Sequence, residues 1–151
     1  SASSAACYRP SSPAATLPPG IHRATWAEVE QRLGTGGPAR VRAYSKLRLL
    51  HQLAERTRKL ARFIVLGSFV SDTPEPRDVD VILVMKADSV LEASPRECQT
   101  LFSHADADAR YGASVFWLRE GMLSGDLMQT FFDTWQTTRD GAKRGIVEVT
   151  T

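Results

Sequence analysis

Apolar and polar positions along the chain follow two periods, one helical and one extended. Thr25-Trp26-Ala27-Glu28 is a capping box, and Trp26, Val29 and Leu33 follow at helical spacing. Glycines at 34, 36 and 37 end that helix, and Pro38 opens the next as its first residue. Val41, Tyr44, Leu47, Leu50, Leu53 and Leu60 then form a stripe that predicts an amphipathic helix over 38–60. Phe63-Ile64-Val65-Leu66, stopped by Gly67, reads as a buried strand, and Asp78 to Met85 as a second. Ser94-Pro95-Arg96-Glu97 predicts another capped helix, with Cys98, Leu101, Phe102, Ala105 and Ala109 inward and Gly112 at its end. A third strand spans Ala113 to Leu118. Ser124 caps a helix with the stripe Leu127, Met128, Phe131, Phe132 and Trp135. After a turn at Arg139-Asp140-Gly141, Gly145 to Val149 is the last strand-like piece. The order α-α-β-β-α-β-α-β, without an internal repeat, predicts a small α+β (mixed α/β) domain over 21–151. Residues 1–20 are a Ser/Ala/Pro mixture with too little apolar surface to offset their ordering entropy, which predicts a flexible leader.

Composition adds little to this picture, and charge adds one feature. With 151 residues, 42% of them hydrophobic, the chain can build a real core. No apolar run approaches the ~20 residues that span a bilayer, and no apolar secretory segment opens the chain. Cys7 and Cys98 make neither a disulfide framework nor a zinc site. These features favour a cytoplasmic protein without membrane attachment. The net charge of +2 hides an asymmetry. Residues 38–62 carry eight cations, Arg40, Arg42, Lys46, Arg48, Arg56, Arg58, Lys59 and Arg62, against the single acid Glu55. The basic face of helix 38–60 suits a solvated surface, a dock for an acidic protein partner, or a contact for nucleic-acid phosphates. Nucleic acid is the least favoured, because Tyr44 is the only aromatic residue in the helix and lies on its apolar side. Trp117, Trp135, Phe131 and Phe132 fall on core-facing positions and read as packing.

The segment that carries chemistry runs from Leu66 to Asp80. Gly67-Ser68 follows the first strand, and Asp78-Val79-Asp80 opens the second. A strand period of two puts Asp78 and Asp80 on one face, with Cα atoms about 6–7 Å apart. Carboxylates at that separation suit a divalent cation. If the two strands pair antiparallel, Gly67 and Ser68 sit beside the aspartates. Glycine admits close backbone approach, and N–H groups with a Ser hydroxyl suit a phosphate.

Gly-Ser at a strand end, an intervening loop, and Asp-x-Asp at the start of the next strand resembles the signature of polymerase-β-like nucleotidyltransferases. The minimal stand-alone bacterial members look closest. Leu17-Pro18-Pro19-Gly20-Ile21-His22, Gly67-Ser68-Phe69-Val70, and the tail from Arg139-Asp140-Gly141 to Gly145-Ile146-Val147 look similar to an uncharacterised group of such small proteins. The resemblance spans residues 17–150. It implies a mixed sheet flanked by helices, Mg²⁺ held by Asp78 and Asp80, and a nucleoside triphosphate with its phosphates at Gly67 and Ser68. Arg77 or Lys86 would offset the triphosphate charge. It further implies nucleotidyl transfer to a protein or small acceptor, as in members that serve as the antitoxin half of a toxin–antitoxin pair beside a helical partner. A cleft without a second clamping domain would be completed by a partner or by a second copy, as a homodimer.

One departure bears on activity. Family enzymes carry a third carboxylate on a later strand, and here the matching strand, Ala113 to Leu118, holds Ser114 at about that place. Glu120 and Glu148 are the remaining substitutes, and neither has the expected placement. A neutral oxygen binds Mg²⁺ more weakly than a carboxylate. The leading expectation remains a nucleotidyltransferase, and the alternative is a catalytically inactive binding module that keeps the fold.

Overall fold

Strands and helices interleave from Ile21 to Thr150 in a computed structural model, which describes residues 18–71, 75–76, 78–90, 95–137, 141 and 144–150. Strand β1 (Ile21–Thr25) leads into helix α1 (Trp26–Leu33), followed by α2 (Pro38–Arg56), β2 (Leu60–Leu66) and β3 (Val79–Met85). Then come the short α3 (Arg96–Gln99), α4 (His104–Tyr111), β4 (Ala113–Arg119), α5 (Gly125–Trp135) and β5 (Ile146–Thr150). The five strands form one mixed sheet in the order β1-β5-β2-β3-β4. The β1–β5 and β3–β4 pairs are parallel, whereas β2 runs antiparallel to both β3 and β5. The α+β class expected from the sequence is the class observed. Among the described residues no helix is long and apolar enough to cross a membrane.

The sheet is buried on both faces, and the two-residue strand period sorts its side chains between two cores. Val79, Val81, Leu83 and Met85 of β3 meet Val29 and Leu33 of α1 and Leu47 and Leu50 of α2. Ile82 and Val84 point the other way, with Ile64, Leu66 and Ile146, against Phe132 of α5. Asp80 belongs by parity to this second face. It stands beyond the end of the α5 contact, where the apolar filling stops.

Several expected boundaries shift, each for a tertiary reason. β1 carries no strong strand signal of its own, and its pairing with β5 makes it a strand. Helix α2 stops at Arg56 instead of continuing to Leu60, because the chain reverses through Thr57 and Arg58 (φ 61°) to bring Leu60 opposite Met85. Leu47, Leu50 and Leu53 of the expected α2 stripe are buried and Tyr44 is half-buried, but the first turn departs from it. Val41 is 50% exposed, while Arg40 is buried with Ala43, Leu47, Leu50 and Ala54. Its guanidinium donates to the carbonyls of Leu33 (3.2 Å), Phe69 (2.8 Å) and Ser71 (2.7 Å). The helix expected after Ser94 is broken at Ser103, which is extended and caps α4. The break shifts the helical phase, so Ala107 is buried while Ala105 and Ala109 are exposed. Pro95 stands at the N-cap of α3 without a side-chain bond, and Ser94 lies outside the described residues.

The caps at Thr25 and Ser124 form as expected. Thr25 Oγ1 accepts from Glu28 N (3.2 Å), and Glu28 Oε1 accepts from Thr25 N (3.0 Å). Ser124 Oγ accepts from Leu127 N (3.4 Å). Residues 1–17 of the expected leader, with Arg139 and Asp140 of the expected turn, lie outside the described residues. Gly20 does not continue a loose leader: its carbonyl accepts from Ile146 N (3.0 Å), and its N–H donates to Gln136 Oε1.

Two predictions follow from this packing. Arg40→Met should lower unfolding stability by about 3 kcal/mol, since three buried carbonyls lose a charged donor. Urea denaturation measures this, and Arg40→Lys should recover only part of it. The second concerns His51, packed edge-on against Trp26 and Phe63 with ring centroids 5.1 Å from each. Burial pulls its pKa below the ordinary 6.5, with Glu55 opposing and Arg48 reinforcing the shift. The unfolded chain then takes up the proton first as pH falls. The stability contribution is full above pH 6.5 and drains as pH drops toward the lowered native value. Unfolding midpoints compared between about pH 7.5 and about pH 5.5 should fall in the wild type and flatten in His51→Gln.

Candidate functional site

The antiparallel pairing of β2 and β3 sets Leu66 opposite Asp80, so the turn that follows β2 folds over that aspartate. Gly67 opens a single 3₁₀ turn (Gly67–Val70) with φ +82°. A Cβ at this position would overlap Asp80 Oδ2 and stand 3.1 Å from its Cγ. Glycine is therefore required twice here, for the backbone angle and for the space beside the carboxylate. The turn is held from below by Arg40, through the Phe69 and Ser71 carbonyls. Ser68 O accepts from both Ser71 N (3.2 Å) and Ser71 Oγ (2.7 Å).

Gly67 and Asp80 line a cleft of about 640 Å³ on the α5 face of the sheet. The rest of its wall is Leu66, Phe116, Trp135, Gln136, Thr137, Arg144, Gly145 and Ile146. Phe116 and Trp135 pack together at its edge, with centroids 4.5 Å apart and planes inclined by 47°. Gln136 closes the C-terminal end of α5 and is 5% exposed. Its backbone carbonyl accepts from Arg144 N (2.7 Å), which joins α5 to the approach of β5. A Cβ on Gly145 would overlap the Pro18 carbonyl, so the strand entry also needs a residue without a side chain.

The residues singled out by motif are not all gathered at this cleft. Asp80 lines it; Asp78 does not. Asp78 is exposed and precedes β3, and its Oδ1 is 3.8 Å from where a Cβ on Gly112 would stand, with Lys46 Nζ 3.0 Å from the same point. Ser68 stands next to Gly67, half-buried and outside the lining set. Arg77 lies outside the described residues. Lys86 follows the far end of β3, six residues and therefore about 20 Å from Asp80, so it cannot serve phosphates at Gly67.

Ser114 pairs directly with Asp80 across the parallel β3–β4 ladder, so the residue expected near the place of a third carboxylate brings a hydroxyl beside the aspartate. Glu120 follows the far end of β4 and is exposed. Glu148 is engaged elsewhere, in a bidentate pair with Arg62 (2.7 and 3.2 Å), whose guanidinium also covers the Phe132 ring.

The basic face of residues 38–62 is largely committed within the fold. Arg40 is buried, and Arg48 lies over Trp26 at 4.9 Å. Arg56 pairs with Glu97 (3.4 Å), Lys59 with Asp88 (2.7 Å) and Arg62 with Glu148. Arg42 and Lys46 line a shallow hollow with Glu75 and Pro76. A partner reading this helix would meet a smaller cationic patch than the sequence suggests.

The donor set sets the terms for a metal. Among the described residues no group of three or more His, Cys, Asp or Glu side chains could hold an ion. Mg²⁺ commonly takes one or two carboxylates and completes its shell with phosphate oxygens and water. The missing side chain at Gly67 lets the Asp80 carboxylate pack directly against the turn backbone. Sequence reasoning missed Phe116, Gln136, Thr137 and Arg144, and read Trp135 as packing alone. They come from three separate segments, and no spacing rule joins them.

Sheet and cleft together define a small α+β protein with one acid and one glycine turn at the mouth of an aromatic-walled pocket. The chain belongs to a family of unknown function, DUF6932, whose model matches residues 11–150. No curated protein and no solved structure matches it.

Gly67→Ala should cost roughly 1–2 kcal/mol through its positive φ alone, plus the displacement of the Asp80 carboxylate. In an Asp80→Ala background the same substitution should cost less, leaving mainly the backbone part. Urea denaturation of the four variants measures the coupling, and an equal cost in both backgrounds would refute the contact.

Proposed function

We propose that this domain binds a nucleoside triphosphate together with Mg²⁺, in the manner of a nucleotidyltransferase-like fold. The observation that carries the reading is the meeting of Gly67 with Asp80 at the mouth of the aromatic-walled cleft. A triphosphate near a carboxylate is repelled, by about 1 kcal/mol per pair of charges at 4 Å even at the dielectric constant of water. A divalent cation converts that repulsion into a bridge. Asp80 supplies one carboxylate oxygen to it, and the phosphates with water complete the shell, Asp78 standing outside the cleft lining. The Gly67-Ser68 backbone and hydroxyl receive the phosphates, and Phe116 and Trp135 give the base an apolar wall.

Binding without turnover is favoured over transfer, because Ser114 stands beside Asp80 where a third carboxylate would help deprotonate an attacking hydroxyl. The hydroxyl is neutral near pH 7 and supplies neither charge nor a general base. In this reading the chain acts in the cytoplasm, where nucleoside triphosphates and Mg²⁺ are supplied, and a partner protein or second copy covers the open cleft.

Tryptophan fluorescence during titration with ATP, GTP, CTP and UTP tests the binding. A saturable change in Mg²⁺ is expected, weakened about tenfold or more by Asp80→Asn or by chelating the metal. Absence of binding by all four, or binding indifferent to both changes, overturns the reading. Pyrophosphate release in the same samples would instead establish nucleotidyl transfer.

A further inference from the structure

The far wall of the same cleft carries more donors than the protein uses. Gln136 is 5% exposed, and its Oε1 accepts from the Gly20 N–H. That bond fixes the amide's orientation, since the nitrogen could not face another N–H. Nε2, with two hydrogens, is not used by that bond, and the residue lines the cleft. Arg144 is held next to it by the bond from its backbone N–H to the Gln136 carbonyl, and it lines the same cleft. Arg144 is half-buried, and its Nε is shielded from solvent and has no partner. An N–H held away from water without an acceptor is costly, and an incoming acceptor relieves that cost.

We infer that this wall selects the base of the nucleotide and that the base is guanine. The inference rests on the nucleotide reading above and adds to it a choice among bases. Two donor groups side by side, next to the Phe116 and Trp135 rings, call for a planar ring with two adjacent acceptors on one edge. Guanine offers O6 and N7 together. Adenine sets its N6 amine beside N7, and cytosine presents its N4 amine, so each brings a donor against a donor. Uracil (like thymine) has a single carbonyl, O4, on that edge. The negative charge of the ligand then lies toward Gly67 and Asp80, so the cleft reads the base and the phosphates of a nucleotide with different chemistry.

Isothermal titration of the intact chain with GTP, ATP, UTP and CTP, each with Mg²⁺, tests the inference. GTP should bind about tenfold or more tightly than each of the others. Gln136→Glu keeps the acceptor for Gly20 and replaces the free donor with an acceptor. It should weaken GTP about tenfold and leave ATP equal or tighter, because the new oxygen can accept from N6. Arg144→Met should bring GTP down to the level of ATP, and it serves as the second variant if Gln136→Glu fails to fold. Equal affinities for the four nucleotides, a preference for ATP or CTP, or UTP binding as well as GTP would overturn the guanine assignment while the nucleotide reading stands. If none of the four binds, the nucleotide reading fails and the assignment falls with it.

Discussion

The antiparallel register between β2 and β3 is the constraint from which the rest of this structure follows. Both strands are buried on both faces, and a one-residue slip would exchange the two cores. That register sets Leu66 opposite Asp80. It therefore delivers the chain, at Gly67, against a carboxylate that a side chain at 67 would displace. The parallel ladder to β4 then sets Ser114 beside the same aspartate, and the short α5 contact leaves that end of the sheet uncovered. The acid, the glycine turn and the hydroxyl neighbour are brought together by strand pairing alone.

The turn beyond Gly67 depends on a second interaction, the burial of Arg40. A guanidinium in the interior is tolerable when its donors are matched, and here three carbonyls from two segments meet it. The interaction ties the end of α1, the start of α2 and the Gly67–Ser71 turn into one unit. It also changes how the basic stretch is understood. Five of its eight cations are turned to internal work, on carbonyls, an aromatic ring or acids. Much of the positive charge that looks like a binding surface is a set of internal ties.

The cleft combines elements far apart in sequence, and this gives it two chemically different ends. In the proposed reading, Gly67 and Asp80 take the phosphates with a cation, and Gln136 and Arg144 face the planar base beside the aromatic rings. Membership of a family of unknown function leaves these residues as the ground for the functional reading.

Read by itself, the sequence determined the local elements and the motif. Strands at 63–66, 78–85 and 113–118 carry continuous apolar or β-branched runs. The caps at Thr25 and Ser124 are short-range hydrogen bonds, and Gly67 with Asp80 stands out because a strand–turn–strand motif is nearly contiguous. Tertiary structure decided what depends on distant partners. β1 exists because β5 pairs with it, Arg40 is interior because three carbonyls await it, and Glu148 is occupied because Arg62 lies two strand positions before Ile64, its partner across the β2–β5 ladder. Phe116, Trp135, Gln136 and Arg144 became one wall only when α5 and β5 closed on the sheet. The division has a physical reason: capping and strand period act over a few residues, whereas burial of a charge and the shape of a cleft are set by segments that meet only in the folded chain.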